Sequence, residues 1–392
     1  MDPIENPFAP GAGSPPPELV GRDQIIEQVR ILAERVKRGR SEKSVVLTGL
    51  RGVGKTVLLN RLGSVASELE YRVVQFEGLE DKAFLAILAP QLRKLLYDLD
   101  RMAGAGDKVR RGLAALKSLL STFKVSVGEV GIGLDINASP GVADSGELEV
   151  DLPDLMQSIG EAAVERKTAV ALLIDELQYL DSEELGALIV SMHRMQQKSL
   201  PLILVAAGLP TLPALAGEAK SYSERLLSYP ELGPLSREDA DKAVRDPVVE
   251  REGRIRADAL DEIYRHTRGY PYFIQMWGYQ SWNRASRFPI ELGDVKAAST
   301  VSVQELDANF FRVRFGRLIP SEKRFLRGMA ELGPGPHPTG SVADVLKMRS
   351  TSLGPVRASL LRKGMIYSPA HGQLAFTVPL FDEFMRRAIP DL

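Results

Sequence analysis

The sequence predicts an α/β fold with a parallel central sheet, followed by an all-helical region and a short mixed segment of helices and strands. Short apolar strands alternate with amphipathic helices between Leu19 and Ala206, as in a doubly wound sheet. Strand signals stop at Ser236 and return only around Gly372. These two changes of pattern divide the chain into an α/β domain, a helical region and a C-terminal segment.

Length and composition bound the fold without selecting a partner. At 392 residues, with 44% hydrophobic and 26% charged residues, the chain is long enough for two or three globular domains. Its 50 basic residues nearly balance its 51 acidic residues. Because it has no cysteine, disulfides, thiol nucleophiles and thiolate metal sites are excluded, and a reducing compartment fits.

The sequence also favours a cytoplasmic protein with no membrane partner. The first residues, Met1 to Glu5, carry acids and lack the basic and apolar pattern of a secretory signal. The longest apolar run, from Leu200 to Ala216, is interrupted by prolines and is too short to span a bilayer. We interpret that run as a buried strand and the loop after it.

Four regions follow along the chain. Residues 1–17 are rich in proline and small residues, and we expect a disordered arm. Residues 18–235 form the α/β domain, with an insertion at about 103–145 that predicts a helix, 108–119, and a hairpin, 123–136, outside the main sheet. The predicted strands of the sheet are 44–48, 72–76, 169–174 and 202–206.

The remaining regions are a helical lid, 236–318, and a C-terminal domain, 319–392. The lid is predicted to contain helices at 236–250, 256–268, 271–285 and 293–317. The C-terminal domain is predicted to contain helices at 321–332, 341–348, 350–363 and 380–388, with two short strands around Gly372. That order is typical of a winged helix-turn-helix.

The strongest motif is the loop Gly49-Leu50-Arg51-Gly52-Val53-Gly54-Lys55-Thr56, which matches G-x-x-x-x-G-K-[ST] between a strand and a helix. Such a loop turns its backbone N–H groups inward to bind phosphates, Lys55 supplies a positive charge, and the Thr56 hydroxyl is a ligand for Mg²⁺. A chance glycine-rich turn would rarely have these flanks. The expected nucleotide contacts are Gly49, Arg51, Gly52, Val53, Gly54, Lys55, Thr56 and Val57, and the expected ligands are ATP or ADP with Mg²⁺.

A second motif is the apolar run Ala169 to Ile174, which ends in Asp175 and Glu176. An acid at the end of a buried strand can hold Mg²⁺ through water, and the next acid can orient and deprotonate the attacking water. Acids in this place also cap helices, but the loop upstream favours the catalytic interpretation. We therefore expect Asp175 at the metal and Glu176 as the general base.

On these residues the chain resembles the AAA+ ATPases, and within them the STAND-type and origin-recognition-like group that has a C-terminal winged helix. The resemblance covers Leu19 to Leu392 apart from the insertion. Beyond the two motifs it rests on Leu19-Val20-Gly21-Arg22, Ser223-Glu224-Arg225, Gly269-Tyr270-Pro271 and the terminal domain. The resemblance implies adenine and ribose contacts from Val20, Gly21, Arg22 and Pro271.

The resemblance also implies roles for residues that stimulate or sense hydrolysis. Arg225 stands where relatives place an arginine finger toward a neighbour's γ-phosphate, although a solvated surface arginine is equally compatible. Two departures weaken catalysis: the fourth strand ends in Ala206-Ala207-Gly208 without a polar sensor, and Arg268 precedes the lid turn instead of following it. Slow, switch-like turnover is therefore favoured over a fast motor.

The C-terminal domain carries basic residues that could contact double-stranded DNA. Arg357, Arg362 and Lys363 lie on its third predicted helix, and Arg349 precedes that helix. Winged helices of this group also bind proteins, and scattered basic residues are ordinary surface, so DNA and a protein partner or self-association stay open. The aromatic residues of the lid, between Tyr270 and Trp282, are interpreted as core.

Together these observations predict an ATP-binding, slowly hydrolysing AAA+/STAND-type switch whose lid and winged helix regulate binding to DNA or a protein. The alternative is a nucleotide-dependent DNA-binding regulator or scaffold that does not hydrolyse ATP. A P-loop kinase would need an acceptor site and a short lid inserted within the sheet. The all-helical lid and the winged helix predicted here disfavour that function.

Overall fold

A computed structural model describes residues 1–11, 19–101, 107–124 and 141–391 of the protein. The chain divides into two units. The sheet unit consists of Arg22–Thr48 and Leu58–Glu231, and the helical unit consists of Met1–Gly21, Gly49–Val57 and Leu232–Leu392.

The first 232 residues contain the strands and helices of the α/β fold. The strands are β1 Ser44–Gly49, β2 Tyr71–Glu77, β3 Ala169–Asp175, β4 Leu202–Gly208, β5 Leu227–Ser228 and β6 Glu231–Leu232. The helices are α1 Asp23–Lys37, α2 Lys55–Glu68, α3 Phe84–Arg101, α4 Asp107–Thr122, α5 Leu148–Glu165, α6 Ser182–Gln197, α7 Leu212–Ala219 and α8 Ser223–Leu226.

The sheet has the strand order β2-β3-β4-β1-β5, with every neighbouring pair parallel. Strands β1, β3 and β4 are buried along their whole length, as expected for a parallel sheet covered by helices. Because the strands run in the same direction, their carboxyl ends meet at one edge, where β2 ends in Glu77 and β3 ends in Asp175. The parallel α/β fold predicted from the sequence is confirmed.

The predicted insertion is part of the core of this unit rather than an appendage. Helix α4 buries its apolar face, including Val109, Leu116 and Leu119, in the same cluster as α3 and α5. Gly112 allows the close approach of α3, because a Cβ there would lie 2.8 Å from Leu96. The period of α4 identified a helix, but it could not reveal what that helix packs against. Most of the predicted hairpin, 123–136, lies outside the described residues.

Beyond β6, the helical unit contains the predicted lid helices followed by a mixed module. Its elements are α9 Arg237–Glu250, α10 Ala257–Thr267, α11 Pro271–Arg284, α12 Leu292–Glu305, a π-helix Leu306–Phe311, α13 Arg312–Gly316, α14 Pro320–Glu331, β7 His337–Pro338, α15 Thr339–Leu346, α16 Gly354–Arg362, β8 Ile366–Tyr367, β9 Gln373–Phe376 and α17 Phe381–Ala388. No helix within the described ranges is long and apolar enough to cross a membrane.

Residues 320–388, here called the C-terminal module, combine helices with an antiparallel sheet in the order β7-β9-β8. The chain order of helix, strand, two helices and two strands is the one we expect of a winged helix; β7 was not predicted. A buried ion pair fixes its third helix: Glu322, 1% exposed, accepts hydrogen bonds from the Lys363 ammonium and the Ser359 hydroxyl, both at 2.7 Å.

The aromatic residues of the lid form core, as the helical spacing predicts. Phe273, Trp277 and Trp282 are at most 3% exposed. The indole N–H groups of both tryptophans donate hydrogen bonds at 2.9 Å, Trp277 to the Ser299 hydroxyl and Trp282 to the Asp2 carbonyl oxygen. Burial with a satisfied donor stabilises these rings without any ligand.

The N-terminal arm differs from the disordered segment that composition predicts. In residues 1–11, Phe8 is 3% exposed and lies against Gly278 of α11, where a Cβ would come within 2.6 Å of the ring. The Asn6 amide donates to the Tyr279 carbonyl oxygen at 3.0 Å, and Arg251 pairs with Glu5 at 2.5 Å. The burial of one aromatic ring and a few polar contacts offset the entropic cost of ordering this segment. Average composition does not predict such individual contacts.

This packing predicts that Phe8→Ala releases the arm while the lid stays folded, because truncating a buried phenylalanine costs about 3 kcal/mol or more. The measurement is hydrogen exchange of the Ala9 amide, which donates to the Gln275 side chain at 3.2 Å. We expect a marked loss of protection. Ile4→Ala is the control, because Ile4 is 88% exposed in the same arm. Unchanged protection of Ala9 in Phe8→Ala would contradict the packing.

Candidate nucleotide-binding site

The glycine-rich loop joins the end of β1 to the start of α2, where Lys55 is the first helical residue. Gly52 and Gly54 have φ angles of +85° and +89°, a backbone region that side-chain-bearing residues rarely adopt. A Cβ on Gly54 would meet nothing within 4 Å, so its conformation, and not crowding, requires glycine. The turn places backbone N–H groups at a helix N-terminus, which is a favourable site for a phosphate.

Lys55 is the charged centre of this loop. Its side chain is 6% exposed, and its ammonium donates to the carbonyl oxygens of Gly49 at 2.9 Å and Leu50 at 3.0 Å. Carbonyl oxygens are neutral acceptors, and a phosphate is a stronger acceptor for a buried ammonium. The loop therefore carries a positive charge that an anionic ligand would stabilise.

Gly49 is required for a different reason from Gly52 and Gly54, namely the close approach of another part of the chain. A Cβ there would lie 2.5 Å from the Leu232 carbonyl oxygen and 2.9 Å from a methyl group of Val53. Val53 itself is buried. Any side chain at position 49 would therefore displace the backbone at Leu232, so only glycine fits at the base of the loop.

The lid and the C-terminal module both bond to the loop within the helical unit. The Tyr272 N–H, in the first turn of α11, donates to the Gly52 carbonyl oxygen at 3.2 Å. The Arg51 N–H donates to the Thr377 carbonyl oxygen, just after β9, at 3.1 Å. A change in the loop's backbone would therefore disturb a bond to each of these two elements.

The residues expected near the adenine are distributed as follows. Pro271 begins α11, one residue before Tyr272. Val20 packs against the core of the helical unit, and a Cβ on Gly21 would lie 2.7 Å from an Asp239 carboxylate oxygen. Arg22 precedes α1 in the sheet unit. The structure thus brings Val20, Gly21 and Pro271 into the same unit as the loop.

The acidic residues of the second motif lie at the carboxyl edge of the sheet. Asp175 is 8% exposed, and one of its carboxylate oxygens accepts the Glu176 N–H at 2.8 Å. Glu176 has φ +50°, a left-handed conformation that is uncommon outside glycine and often marks functional positions. β3 ends at Asp175, so Glu176 lies in the turn that follows this strand.

Sequence reasoning missed a third acid at this edge. Glu77 ends β2 in register with Asp175. Burial, followed by the neighbouring carboxylates of Asp175 and Glu176, raises the pKa of Glu77 above its usual value. Its position at the end of a predicted strand was the available signal, but no motif includes it.

Gln178 is a second residue that the sequence did not single out. Its side-chain amide donates to the Glu176 carboxylate, and its amide oxygen accepts the Leu209 N–H at 3.1 Å. Leu209 directly follows β4, whose final residues Ala206-Ala207-Gly208 lack a polar side chain. Gln178 therefore supplies a polar group at the end of β4.

The remaining predicted residues are on the surface or in the C-terminal module. Arg225 is exposed on the four-residue helix α8; among the described residues, its guanidinium has no hydrogen-bond or ion-pair partner. Arg349 and Arg362 are exposed, and Arg357 is half-buried. The Lys363 ammonium, in contrast, is bound by Glu322 and the Arg317 carbonyl oxygen, so it stabilises the module.

The oxygen donors present suit Mg²⁺. Thr56, an exposed residue at the start of α2, carries a hydroxyl, and Asp175 carries a carboxylate at the end of β3. Magnesium is held by one or two such groups together with the phosphates of its substrate, rather than by a dedicated protein cage. In keeping with this, the described part of the chain holds no cluster of three His, Asp or Glu placed to bind a metal.

A parallel sheet with a Gly-x-x-x-x-Gly-Lys-Thr loop after β1 and acids after β3 defines a P-loop nucleoside triphosphatase. Residues 18–205 match the family described as "AAA ATPase domain", which identifies a domain of that kind in this part of the chain. Residues 308–385 match a second family, described as "Domain of unknown function (DUF8462)". No curated protein matches the chain.

Solved structures with a similar fold come from archaea and bacteria. A Walker-type ATPase of Pyrococcus abyssi is 16% identical, with a TM-score of 0.52, over 92% of this chain and 95% of that chain. The Thermotoga maritima RuvB Holliday junction branch migration motor is 16% identical, with a TM-score of 0.45, over 91% and 92%. The Aeropyrum pernix ORC1 protein in complex with DNA is similar with a TM-score of 0.42 over 97% and 94%.

Proposed function

We propose that the protein is an ATP-dependent switch: it binds Mg-ATP on the loop from Gly49 to Thr56, hydrolyses it slowly, and uses the nucleotide state to regulate the lid and the C-terminal module. The observation that carries this proposal is the Lys55 ammonium, which is buried in the loop and donates to the backbone carbonyl oxygens of Gly49 and Leu50. A triphosphate would supply anionic acceptors, which bind an ammonium more strongly than carbonyl oxygens do.

In the bound state, we expect the N–H groups of residues 52–57 to bind the phosphates and Lys55 to bind the β- and γ-phosphates. Thr56 and Asp175 would hold Mg²⁺, which neutralises the charge that develops on the transferred phosphoryl group. Val20, Gly21, Arg22 and Pro271 are proposed to surround the adenine and ribose.

Hydrolysis requires a base for the attacking water. We assign that role to Glu176, which directly follows β3 and has a left-handed backbone conformation. The water oxygen attacks the γ-phosphorus, the bond to the β,γ-bridging oxygen breaks, and ADP leaves with its electron pair. Glu176 accepts the water proton, and inorganic phosphate is the second product.

Two features favour a slow switch over a motor. The end of β4 has no polar side chain of its own, and Arg268, before the lid turn, pairs with Glu383 of α17 at 2.5 Å. The bonds from Tyr272 and Arg51 to their partners couple the loop to the lid and to the C-terminal module. The nonpolar end of β4 and the Arg268–Glu383 ion pair also support the second candidate, a regulator that binds ATP without hydrolysing it.

Arg225 is proposed as an arginine finger that acts on a neighbouring copy of the chain, because its exposed side chain is available to one. The signature of this role is turnover per chain that rises with chain concentration in the wild type but not in Arg225→Ala. Equal concentration dependence in both proteins would assign Arg225 to the ordinary surface.

Glu176→Gln tests hydrolysis separately from binding. We expect a loss of ATP turnover of about 100-fold or more, because the amide cannot accept the water proton, with ATP affinity within about threefold of the wild type. The measurements are phosphate release at saturating ATP and equilibrium binding of a fluorescent ATP analogue. If wild type and Glu176→Gln bind ATP equally and are equally inert, the protein is the non-hydrolysing regulator.

The exposed arginines test DNA as the target of the C-terminal module. Replacing Arg349 and Arg362 together by glutamate should weaken binding to a fluorescent DNA duplex at least about tenfold and reduce the salt dependence of affinity by about two charges. Arg38→Glu is the control, because the Arg38 side chain is 70% exposed directly after α1. If the wild type binds no duplex even at low salt, the DNA role is wrong and a protein partner is favoured.

A further inference from the structure

Gln178 bridges the ends of two adjacent strands of the sheet. It lies in the single 3₁₀ turn Leu177–Tyr179, directly after Glu176, and its amide reaches across to the backbone after β4. One end of the amide bonds to the Glu176 carboxylate and the other to the Leu209 N–H. The proposed base is thus connected to β4 through one neutral side chain.

The chemistry of the two partners fixes which way the amide points. The Leu209 N–H can only donate, so it requires the Gln178 oxygen. The NH₂ group is therefore directed to Glu176, whose ionised carboxylate can only accept. Because each partner tolerates only one end of the amide, the network has a single orientation.

Gly208 is the counterpart of this arrangement. A Cβ at position 208 would lie 2.4 Å from the Gln178 amide oxygen and 2.5 Å from a methyl carbon of Leu212. Its backbone φ is not in the left-handed region, so the need for glycine is one of space. The absence of a side chain at the end of β4 makes room for a polar group that comes from the turn after β3.

The bond to Gln178 leaves Glu176 with one constrained and one available carboxylate oxygen. Oε2 accepts from the Gln178 amide, whereas Oε1 has no hydrogen-bond partner among the described residues. The Glu176 backbone is fixed as well, because its N–H is bound to the Asp175 carboxylate at 2.8 Å. A water bound by Oε1 would therefore meet a carboxylate whose position is determined from both sides.

We propose that Gln178 is the positioning residue of the hydrolytic site: by bridging Glu176 and the Leu209 N–H it holds the Glu176 carboxylate in the orientation that receives the water proton. This inference rests on the proposed hydrolysis by Glu176. The Gln178 amide provides a polar group at the end of β4, although the final residues of β4 have no polar side chain. Gln178 does not touch the reacting atoms and acts only through Glu176.

Two substitutions of similar size separate the two bonds. Gln178→Met keeps the length of the side chain and removes both hydrogen bonds. Gln178→Glu keeps an acceptor for Leu209 but turns a negative oxygen toward Glu176. We expect both to lower kcat for ATP about 10- to 100-fold with KM and ATP affinity within about threefold, because misplacing the base affects the chemical step and not binding.

Gly208→Ala approaches the same network from the other side, since its methyl group would displace the Gln178 amide. We expect a similar fall in kcat, and the double variant Gln178→Met, Gly208→Ala should be no slower than Gln178→Met alone. Such non-additivity identifies two changes that act through one interaction. Gln196→Met is the matched control. Gln196 lies on α6, and its amide bonds to the carbonyl oxygen of Glu42, which precedes β1 and so lies away from the carboxyl edge of the sheet.

The outcomes are distinguishable. Reduced kcat in Gln178→Met and Gln178→Glu, with unchanged affinity, normal Gln196→Met and a non-additive double variant, supports the role. If Gln178→Met hydrolyses ATP as fast as the wild type, the role of Gln178 is overturned and the proposed function stays intact. Wild-type protein that binds ATP without turnover overturns the hydrolysis by Glu176 and this inference with it. A parallel loss of affinity and kcat, with a lower melting temperature, assigns Gln178 to folding and also overturns it.

Discussion

The structure depends on a positive charge that is buried in a loop of backbone. Lys55 is almost fully shielded from water, and its ammonium donates to the carbonyl oxygens of Gly49 and Leu50. This arrangement requires glycine at positions 49, 52 and 54, because of a close backbone contact in the first case and positive φ angles in the others. A phosphate can relieve the cost of the buried charge because its anionic oxygens are stronger acceptors for an ammonium than carbonyl oxygens.

The loop is also a point of convergence within the helical unit. Its Gly52 carbonyl oxygen accepts the Tyr272 N–H of the lid, and its Arg51 N–H donates to Thr377 of the C-terminal module. The lid and the module are tied to each other by the Arg268–Glu383 and Arg387–Asp307 ion pairs, at 2.5 and 2.6 Å. Exposed or half-exposed ion pairs of this kind contribute little stability.

Much of the fold and part of the site could be predicted from the sequence. The strands were predictable because runs such as Ala169 to Ile174 are continuously apolar, which is typical of buried parallel strands. The loop was predictable because its chemistry depends on residues that are consecutive in the chain. The structure and the family match confirm the parallel sheet and the AAA+ ATPase domain, whereas the roles of individual site residues stay predictions.

What the sequence could not predict are contacts whose partner is distant or is backbone. The apolar period of α4 indicated a helix, but its place in the core depends on Leu96 facing Gly112. Phe8 is a single aromatic residue in a proline-rich arm, and its burial depends on Gly278, far along the chain. Gln178 binds the Leu209 N–H, and a backbone donor leaves no trace in the sequence. The glycine at position 208 was read as a missing sensor, although it makes room for that amide.

The most direct test of the account is the affinity of the purified protein for Mg-ATP, measured by titration calorimetry for the wild type and Lys55→Ala. The account predicts saturable binding by the wild type and a loss of affinity of about 10- to 100-fold on removal of the buried ammonium. Lys242→Ala, on the surface of α9, should bind as the wild type does. Equal ATP affinity in wild type and Lys55→Ala, or no binding by the wild type, would contradict the account.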